Sequence, residues 1–215
     1  MAVFPLHVLT MMNGGHANQT NTFTWSLVHV IRSPQLLTAL RSAKTPDLLE
    51  ATIRETGRLY TNLIALRRVT VPQEVMGHQV LKGTFLAISP LVTARDPTLF
   101  TDPDSFRPER WLTPTNTLDE GAIKTAQRTG ASNQFGKGQH YCLGEKLAKM
   151  LITMYWEIVL GDEVHAGYDF EIVGGLKEGR GIDGIGVEAA WAQENLGTPF
   201  ERGESLMVRV YERKG

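Results

Sequence analysis

The stretch "FGKGQHYCLG", residues 135–144, contains the only cysteine of the chain, Cys142. Gly136 and Gly138 precede it, and glycine lets a loop adopt positive φ or fold closely around a planar ligand. Apolar residues recur at helical spacing from Leu143 onward, which predicts a helix that begins at or just after Cys142. A thiol at a helix N-terminus lies at the positive end of the helix dipole, which favours the thiolate. The loop therefore indicates a ligand site, with an inert buried cysteine as the alternative.

The apolar residues of this predicted helix indicate which of its faces is buried. They recur three or four residues apart, as expected for one side of an amphipathic helix. We expect this face to pack against the core; its members are Leu143, Leu147, Met150, Leu151, Met154 and Ile158.

Length and charge exclude several classes of protein. The chain has 215 residues, of which 42% are hydrophobic, enough to bury the core of one domain. Its 22 basic and 23 acidic side chains nearly cancel and form no long run, so no nucleic-acid or anionic-membrane surface is expected. One cysteine forms no internal disulfide, which fits a reducing compartment. The N-terminal "MAVFPLHVLTMMNGG" lacks the positive segment of a signal peptide, and its apolar run is shorter than the ~20 residues of a membrane span.

The first half of the chain is predicted to be mainly helical. A helical pattern runs from Leu6 to about Ile31, interrupted by Gly14 and Gly15, and Pro34 ends it. Thr45 and Pro46 are a good N-cap and first-turn pair for a helix that reaches about Tyr60.

The second half is predicted to contain β-structure and irregular segments. Residues 67–71, "RRVTV", favour a strand, and residues 78–89 predict a hairpin turning at Lys82 and Gly83. Residues 95–111, rich in proline and aspartate, predict an ordered meander, and 113–134 a polar surface loop. Alternating runs such as "SLMVRVYE", residues 205–212, indicate small antiparallel strands near the end. The order predicts an α+β, mainly α, fold.

The pattern Phe135-x-x-Gly138-x-x-x-Cys142-x-Gly144 resembles the haem-binding signature of the cytochrome P450 family. This resemblance implies haem b, with the Cys142 thiolate as axial ligand of the iron and its electron donation favouring O–O cleavage. His140 stands where the family has an arginine or histidine that binds a haem propionate. A surface histidine is the alternative. The sequence departs from the family at Gln134, where proline is usual.

Further motifs follow in family order. Glu55 and Arg58 match the Glu-x-x-Arg helix motif, and "FRPERW" resembles the meander motif, so Arg110 is expected to complete a structural Glu55–Arg58–Arg110 cluster. In "LRRV", either Arg67 or Arg68 is the counterpart of a propionate-binding arginine, and we take Arg68 as the candidate. Solvated strand charges are the alternative there.

The first helix resembles the family's distal helix, which crosses above the haem. The acid and threonine that relay protons in the family correspond to Ala17 and Asn18, our candidates for the oxygen-binding groove. This pair resembles the branch that holds cholesterol 7α-hydroxylase and prostacyclin synthase. Asparagine forms hydrogen bonds but does not supply a proton as an acid does. The alternatives are a simple polar kink, or a role for Thr20 or Thr22 if the register differs.

The resemblance implies that residues 1–215 are the C-terminal haem-binding part of a P450 catalytic domain whose N-terminal part is absent. The implied fold comprises the distal helix, the Glu-x-x-Arg helix, the meander, the cysteine loop with its helix, and small terminal β-sheets. The implied activity is a haem-thiolate monooxygenase that inserts one oxygen atom into an apolar small molecule such as a sterol, lipid or secondary metabolite.

The implied partners follow from that activity. They are NADPH with a cytochrome P450 reductase, and an endoplasmic reticulum membrane contacted only through the missing part. The alternatives are an isomerase or dehydratase that needs no reductase, and a non-catalytic product of a truncated gene. A cysteine-nucleophile hydrolase is weaker, because no His–acid pair is placed to activate Cys142.

Overall fold

The computed structural model describes residues 3–42, 46–61, 64–161, 167–174 and 207–212. Helix α1, Val3–Arg32, is continuous through Gly14 and Gly15, so the interruption of the sequence pattern does not break the helix. Its C-terminal half is held by tertiary packing, which overrides the intrinsic cost of glycine in a helix. The helix ends just before Pro34, as predicted, and α2, Pro34–Ser42, follows.

Helix α3, Pro46–Tyr60, is the central element of the structure. It agrees with the predicted bounds, although the predicted cap Thr45 lies outside the described residues. Pro46 fits the first turn because its missing N–H would have no intrahelical partner, and Asp47 complements the helix dipole. Nearly every residue from Leu49 to Leu59 is buried, so α3 contacts neighbours on all sides.

The described strands form three two-stranded antiparallel sheets. The predicted hairpin over residues 78–89 is wrong, because its two halves pair with different strands. The pairs are β1 (Ala65–Arg68) with β4 (Phe85–Ile88), β2 (Gln73–Val75) with β3 (His78–Val80), and β5 (Tyr168–Gly174) with β6 (Met207–Glu212). Two backbone hydrogen bonds of 2.8 Å, which join Val69 to Gly83 and to Thr84, extend the β1–β4 pair.

The segment 113–134 is not the surface loop that its polarity predicts. After the short helix α4, Pro90–Thr93, and the meander, it contains helix α5, Glu120–Thr129. Asp119 caps α5 by accepting a hydrogen bond from the Ala122 amide at 2.9 Å, and Gly130 ends it at φ 81°. Only two side chains of the helix are buried, Ile123 and Ala126, and its low apolar content makes the segment resemble a polar loop.

Helix α6, Glu145–Leu160, begins three residues after Cys142. The face that periodicity predicts to be buried is largely exposed: Leu143 is 99% and Ile158 61% exposed. The opposite side is buried instead, through Ile152, Trp156 and Val159. Helix α6 carries apolar residues on both sides, and contact with α1 determines which side is covered.

Helix α3 joins two hydrophobic clusters. One lies between α1, α2, α3 and α6, and the other packs α3 against the meander and α5. The buried members are Val30, Leu40, Leu49, Ile53, Ile152, Trp156 and Val159 in the first cluster, and Ala51, Phe100, Trp111, Ile123, Ala126 and Ala131 in the second.

The helices with small antiparallel sheets confirm the predicted α+β, mainly helical class. In the described part of the chain, no helix combines the length and apolar character that a membrane span requires.

An aromatic cluster ties α1 to the end of α3 and to the meander. The His29 ring stacks on Phe106 at a centroid distance of 3.9 Å, and Trp25 stacks on Tyr60 at 3.9 Å. His29 Nε2 and the Tyr60 hydroxyl form a hydrogen bond of 2.6 Å. Burial, with a smaller contribution from the positive Arg32, lowers the pKa of His29 from 6.5 to about 3.

This lowered pKa predicts that the fold loses stability in acid. The unfolded chain binds a proton at His29 below about pH 6.5, whereas the folded chain resists it down to about pH 3. The free energy of unfolding should therefore be highest above pH 6.5 and fall by up to about 1.4 kcal/mol per pH unit between these values. Urea titrations at several pH values should show a shallower fall for His29→Phe, which keeps a ring beside Phe106. Parallel losses in both proteins would assign the acid sensitivity to other groups.

Candidate functional site

The Glu55 carboxylate is the centre of a buried polar network. Its side chain is fully buried and accepts five hydrogen bonds of 2.8–2.9 Å. Such a set of donors replaces the hydration that a carboxylate loses on burial. The donors are Arg58 Nε and Nη2, the backbone N–H of Arg107, Arg110 Nε and Trp111 Nε1.

Arg58 uses its whole guanidinium group. Two of its N–H groups bind Glu55, and the others donate to the carbonyl oxygens of Ala94, Pro103 and Ser105 at 2.7, 2.6 and 3.2 Å. All five guanidinium donors therefore have acceptors. Arg58 thus binds the backbone just before the meander and in its middle, and holds both against α3.

Arg110 completes the predicted trio from the meander side. It donates to Glu55 and to the carbonyl oxygens of Thr101, Asp102 and Ser105. The guanidinium carbons of Arg58 and Arg110 lie 4.9 and 5.6 Å from the centre of the Phe100 ring. The structure thus brings Glu55, Arg58 and Arg110 together as the sequence motifs predict.

Two members of this network were missed by the sequence reasoning. The Trp111 indole donates to Glu55 Oε2, and the Arg107 backbone N–H donates to Oε1. A tryptophan directly after the arginine of "FRPERW" is the signal that could have identified Trp111. A backbone donor such as that of Arg107 leaves no trace in residue type.

The cysteine loop is shaped by its own backbone. The Cys142 N–H donates to the Phe135 carbonyl at 2.8 Å and closes the loop. Gly136 and Gly138 have φ of 74° and 66°, the left-handed region that favours glycine. A Cβ at Gly136 would lie 3.0 Å from the His140 carbonyl oxygen, so this turn also excludes side chains by contact.

The groups that the loop presents are mostly exposed. Cys142, Gly138 and His140 are exposed, and Phe135 is half-buried with the Lys149 ammonium 5.6 Å from its ring centre. At Gly144, which caps the start of α6, a Cβ would lie 3.7 Å from Cys142 Sγ. The sulfur is therefore open to a ligand, contrary to the alternative of a buried inert cysteine.

The two arginines of β1 lie on the edge of a small sheet. Arg68 is exposed and pairs across the sheet with Phe85. Arg67 is half-buried and donates to the adjacent Leu66 carbonyl at 2.9 Å. The Arg68 side chain is therefore exposed to solvent, whereas the Arg67 side chain is held against its own strand by a hydrogen bond.

The distal-groove candidates lie in the middle of α1. Ala17 is half-buried and Asn18 exposed. Asn18 Nδ2 donates to the Gly14 carbonyl at 2.7 Å, and the Thr22 hydroxyl donates to the Asn18 carbonyl at 2.9 Å. Neither candidate forms a hydrogen bond to the cysteine loop within the ranges that the structure covers. Asn18 is bonded to its own helix instead.

Comparison with known proteins identifies the family of this arrangement. The cytochrome P450 family model matches residues 6–161. A cytochrome P450 monooxygenase of Aspergillus violaceofuscus is 32% identical over 157 residues, covering 68% of this chain and 31% of that protein. Rabbit mitochondrial sterol 26-hydroxylase is 32% identical over 160 residues (65% and 29%), and the lanosterol 14-alpha demethylase of Cunninghamella elegans is 28% identical over 172 residues (65% and 34%). The chain thus spans about a third of the length of these relatives. It belongs to the cytochrome P450 family.

Proposed function

We propose that this protein is a haem-thiolate oxidoreductase in which Cys142 is the axial ligand of the haem iron. The observation that carries the proposal is the exposure of Cys142 on a loop shaped by glycines. The backbone N–H of Cys142 closes this loop by donating a hydrogen bond to the Phe135 carbonyl. We further propose that residues 1–215 form the haem-binding part of a larger P450 catalytic domain. The match to about a third of each relative supports this assignment.

Exposed apolar side chains follow Cys142 in the chain and fit a mainly apolar ligand. Leu143 is 99% exposed, and Leu147 and Met150 on helix α6 are 54% and 52% exposed. Exposed apolar surface of this kind marks ligand or partner sites. Bound haem would supply iron-centred activation of oxygen, and a cysteine thiolate favours O–O cleavage through electron donation.

The remaining residues have supporting roles in this proposal. His140 and Arg68, both exposed, would hold the haem propionates through hydrogen bonds and charge. Phe135, Gly138 and Gly144 would shape the loop beside the ring. Glu55, Arg58 and Arg110 do not touch the reacting atoms; they hold the meander against α3.

The substrate class follows from the relatives by analogy. Two of them are named for sterol chemistry, a sterol 26-hydroxylase and a lanosterol 14-alpha demethylase. We propose an apolar small molecule, such as a sterol, lipid or secondary metabolite, as substrate. A monooxygenase of this kind takes electrons from NADPH through a cytochrome P450 reductase, at the endoplasmic reticulum membrane in the full-length protein.

One observation favours a second activity. The groove candidates Ala17 and Asn18 provide neither a carboxylic acid nor a hydroxyl, and Asn18 Nδ2 is bonded to the Gly14 carbonyl. The side chain can hold an oxygen atom or a water but does not deliver a proton as an acid does. The pair resembles the branch that holds cholesterol 7α-hydroxylase, a monooxygenase, and prostacyclin synthase, an isomerase. The alternative function is therefore an isomerase or dehydratase, which rearranges an oxygenated substrate without a reductase. A non-catalytic truncated product is the third possibility.

Replacing Cys142 by alanine is expected to abolish thiolate-ligated haem. The full protein, reconstituted with haem and reduced under carbon monoxide, should show the red-shifted Soret band of thiolate ligation, and C142A should lose it. Gln139→Ala is the matched control: it removes another exposed side chain of the loop, one with no proposed role in haem binding, so the shifted band should remain.

The outcomes separate the three functional readings. Absence of the shifted band in the unmodified protein would reject the haem-thiolate site and support the non-catalytic product. If the band is present, turnover that requires NADPH and reductase supports the monooxygenase. Turnover of an oxygenated substrate without reductase supports the isomerase or dehydratase.

A further inference from the structure

The side-chain amide of Gln134 occupies the space beside Gly57 in helix α3. A Cβ built at Gly57 would lie 2.1 Å from Gln134 Oε1, 2.6 Å from Cδ and 2.8 Å from Nε2. Real Cβ atoms do not approach other atoms so closely. The amide therefore fills the notch that the missing side chain of residue 57 leaves.

Both partners carry an intrinsic cost that this contact explains. Gly57 is buried within helix α3, near its C-terminal end at Tyr60, and glycine inside a helix is about 1 kcal/mol less favourable than alanine. Its φ is not positive, so backbone conformation does not require glycine at this position. Gln134 Oε1 is buried and finds no hydrogen-bond donor in the described part of the structure, which is also unfavourable. Close packing of the amide on the helix is the physical reason that remains.

The contact lies between the two parts of the candidate site, the buried Glu55 network and the cysteine loop. Gly57 stands between Glu55 and Arg58, which hold the meander on α3. Gln134 directly precedes Phe135, whose carbonyl accepts the Cys142 N–H at 2.8 Å. A short chain of contacts thus runs from the buried network, through Gly57 and Gln134, to the backbone of the cysteine.

We propose that Gln134 is a positioning residue: its amide, seated on Gly57, fixes the cysteine loop on helix α3 and thereby the place of the Cys142 sulfur. The packing of residues 57 and 134 is read from the chain itself. Only the statement that this sulfur meets haem iron rests on the proposed function.

Amide hydrogen exchange of the full chain without added haem tests the proposal. Gln134→Ala removes the seated amide, and Gly57→Ala expels it with a methyl group. Each should speed exchange of the Cys142 N–H by about fivefold, equivalent to about 1 kcal/mol. The double variant should exchange no faster than either single variant, because both changes remove the same contact. Exchange in helix α5 is the internal reference and should not change.

Gln127→Ala is the matched control variant, because Gln127 is exposed on α5. It should leave Cys142 exchange unchanged. Additive effects of the two substitutions, or Cys142 exchange that Gln134→Ala does not alter, would overturn the proposal. If Gly57→Ala fails to fold, Gln134→Ala against Gln127→Ala still decides it.

A second readout separates this inference from the haem assignment. With haem bound, Gln134→Ala should lose a larger share of the red-shifted ferrous carbonyl band than Gln127→Ala does. If the unmodified protein shows no such band, the proposed function fails, while the exchange result still decides the role of Gln134. If the band is normal but the exchange effects are additive, only the positioning role fails.

Discussion

Replacing Glu55 by glutamine is expected to lower the free energy of unfolding by about 3–5 kcal/mol, the usual result of breaking a buried ion pair on one side. All five groups that contact the carboxylate are donors, so the new NH2 group would face donors. The charges of Arg58 and Arg110 would also lose their buried counter-charge. Urea denaturation should show the midpoint falling with little change in slope.

Glu50→Gln provides the matched control on the same helix. Glu50 pairs with Arg54 one turn away, but its side chain is 39% exposed. Exposed pairs of this kind contribute about 0.3–0.5 kcal/mol, so the midpoint should hardly move. If Glu50→Gln and Glu55→Gln lowered the free energy of unfolding equally, the buried hydrogen bonds of Glu55 would contribute no more to stability than an exposed ion pair does.

The sequence identified the parts of the site that depend on local patterns. Proline and aspartate in the first turn fix the start of α3, and spacing i, i+3 on that helix puts Glu55 beside Arg58. The positive φ of Gly136 and Gly138 is one of the two roles that the sequence predicts for these glycines. These features depend on a few neighbouring residues, which is why they could be read without a structure.

Features that depend on distant contacts could not be read in this way. Strand β4 pairs with β1 rather than with the adjacent β3, and an alternating pattern does not name its partner. The packing of the Gln134 amide on Gly57 brings together residues 77 positions apart in the chain, and neither residue type alone indicates this contact. The sequence did show the departure at Gln134 from the proline usual in the family, but not what the side chain contacts.

Helix α6 shows the same limit most sharply. Apolar residues follow helical spacing on two sides, so periodicity predicts an amphipathic helix but not which side faces the core. The structure buries Trp156 against α1 and leaves Ile158 exposed, the reverse of the predicted face. The energetic consequence of this choice can be measured directly.

Trp156→Ala is expected to lower the free energy of unfolding by about 3–5 kcal/mol. The indole is fully buried, packs edge-on against Phe23 at 5.6 Å and donates to the Ser26 hydroxyl at 3.0 Å. Alanine would leave a large cavity between α1 and α6 and remove that hydrogen bond. The loss should appear as a lower urea midpoint at neutral pH.

Ile158→Ala on the same helix is the control that distinguishes the two faces. Ile158 is 61% exposed, so its truncation in this chain should change the free energy of unfolding by no more than about 0.5 kcal/mol. If Ile158→Ala proved the more damaging substitution, the periodicity would have identified the core face correctly. The packing of α6 against α1 through Trp156 would then be wrong, because residues two apart lie about 200° apart around a helix and cannot both face the same neighbour.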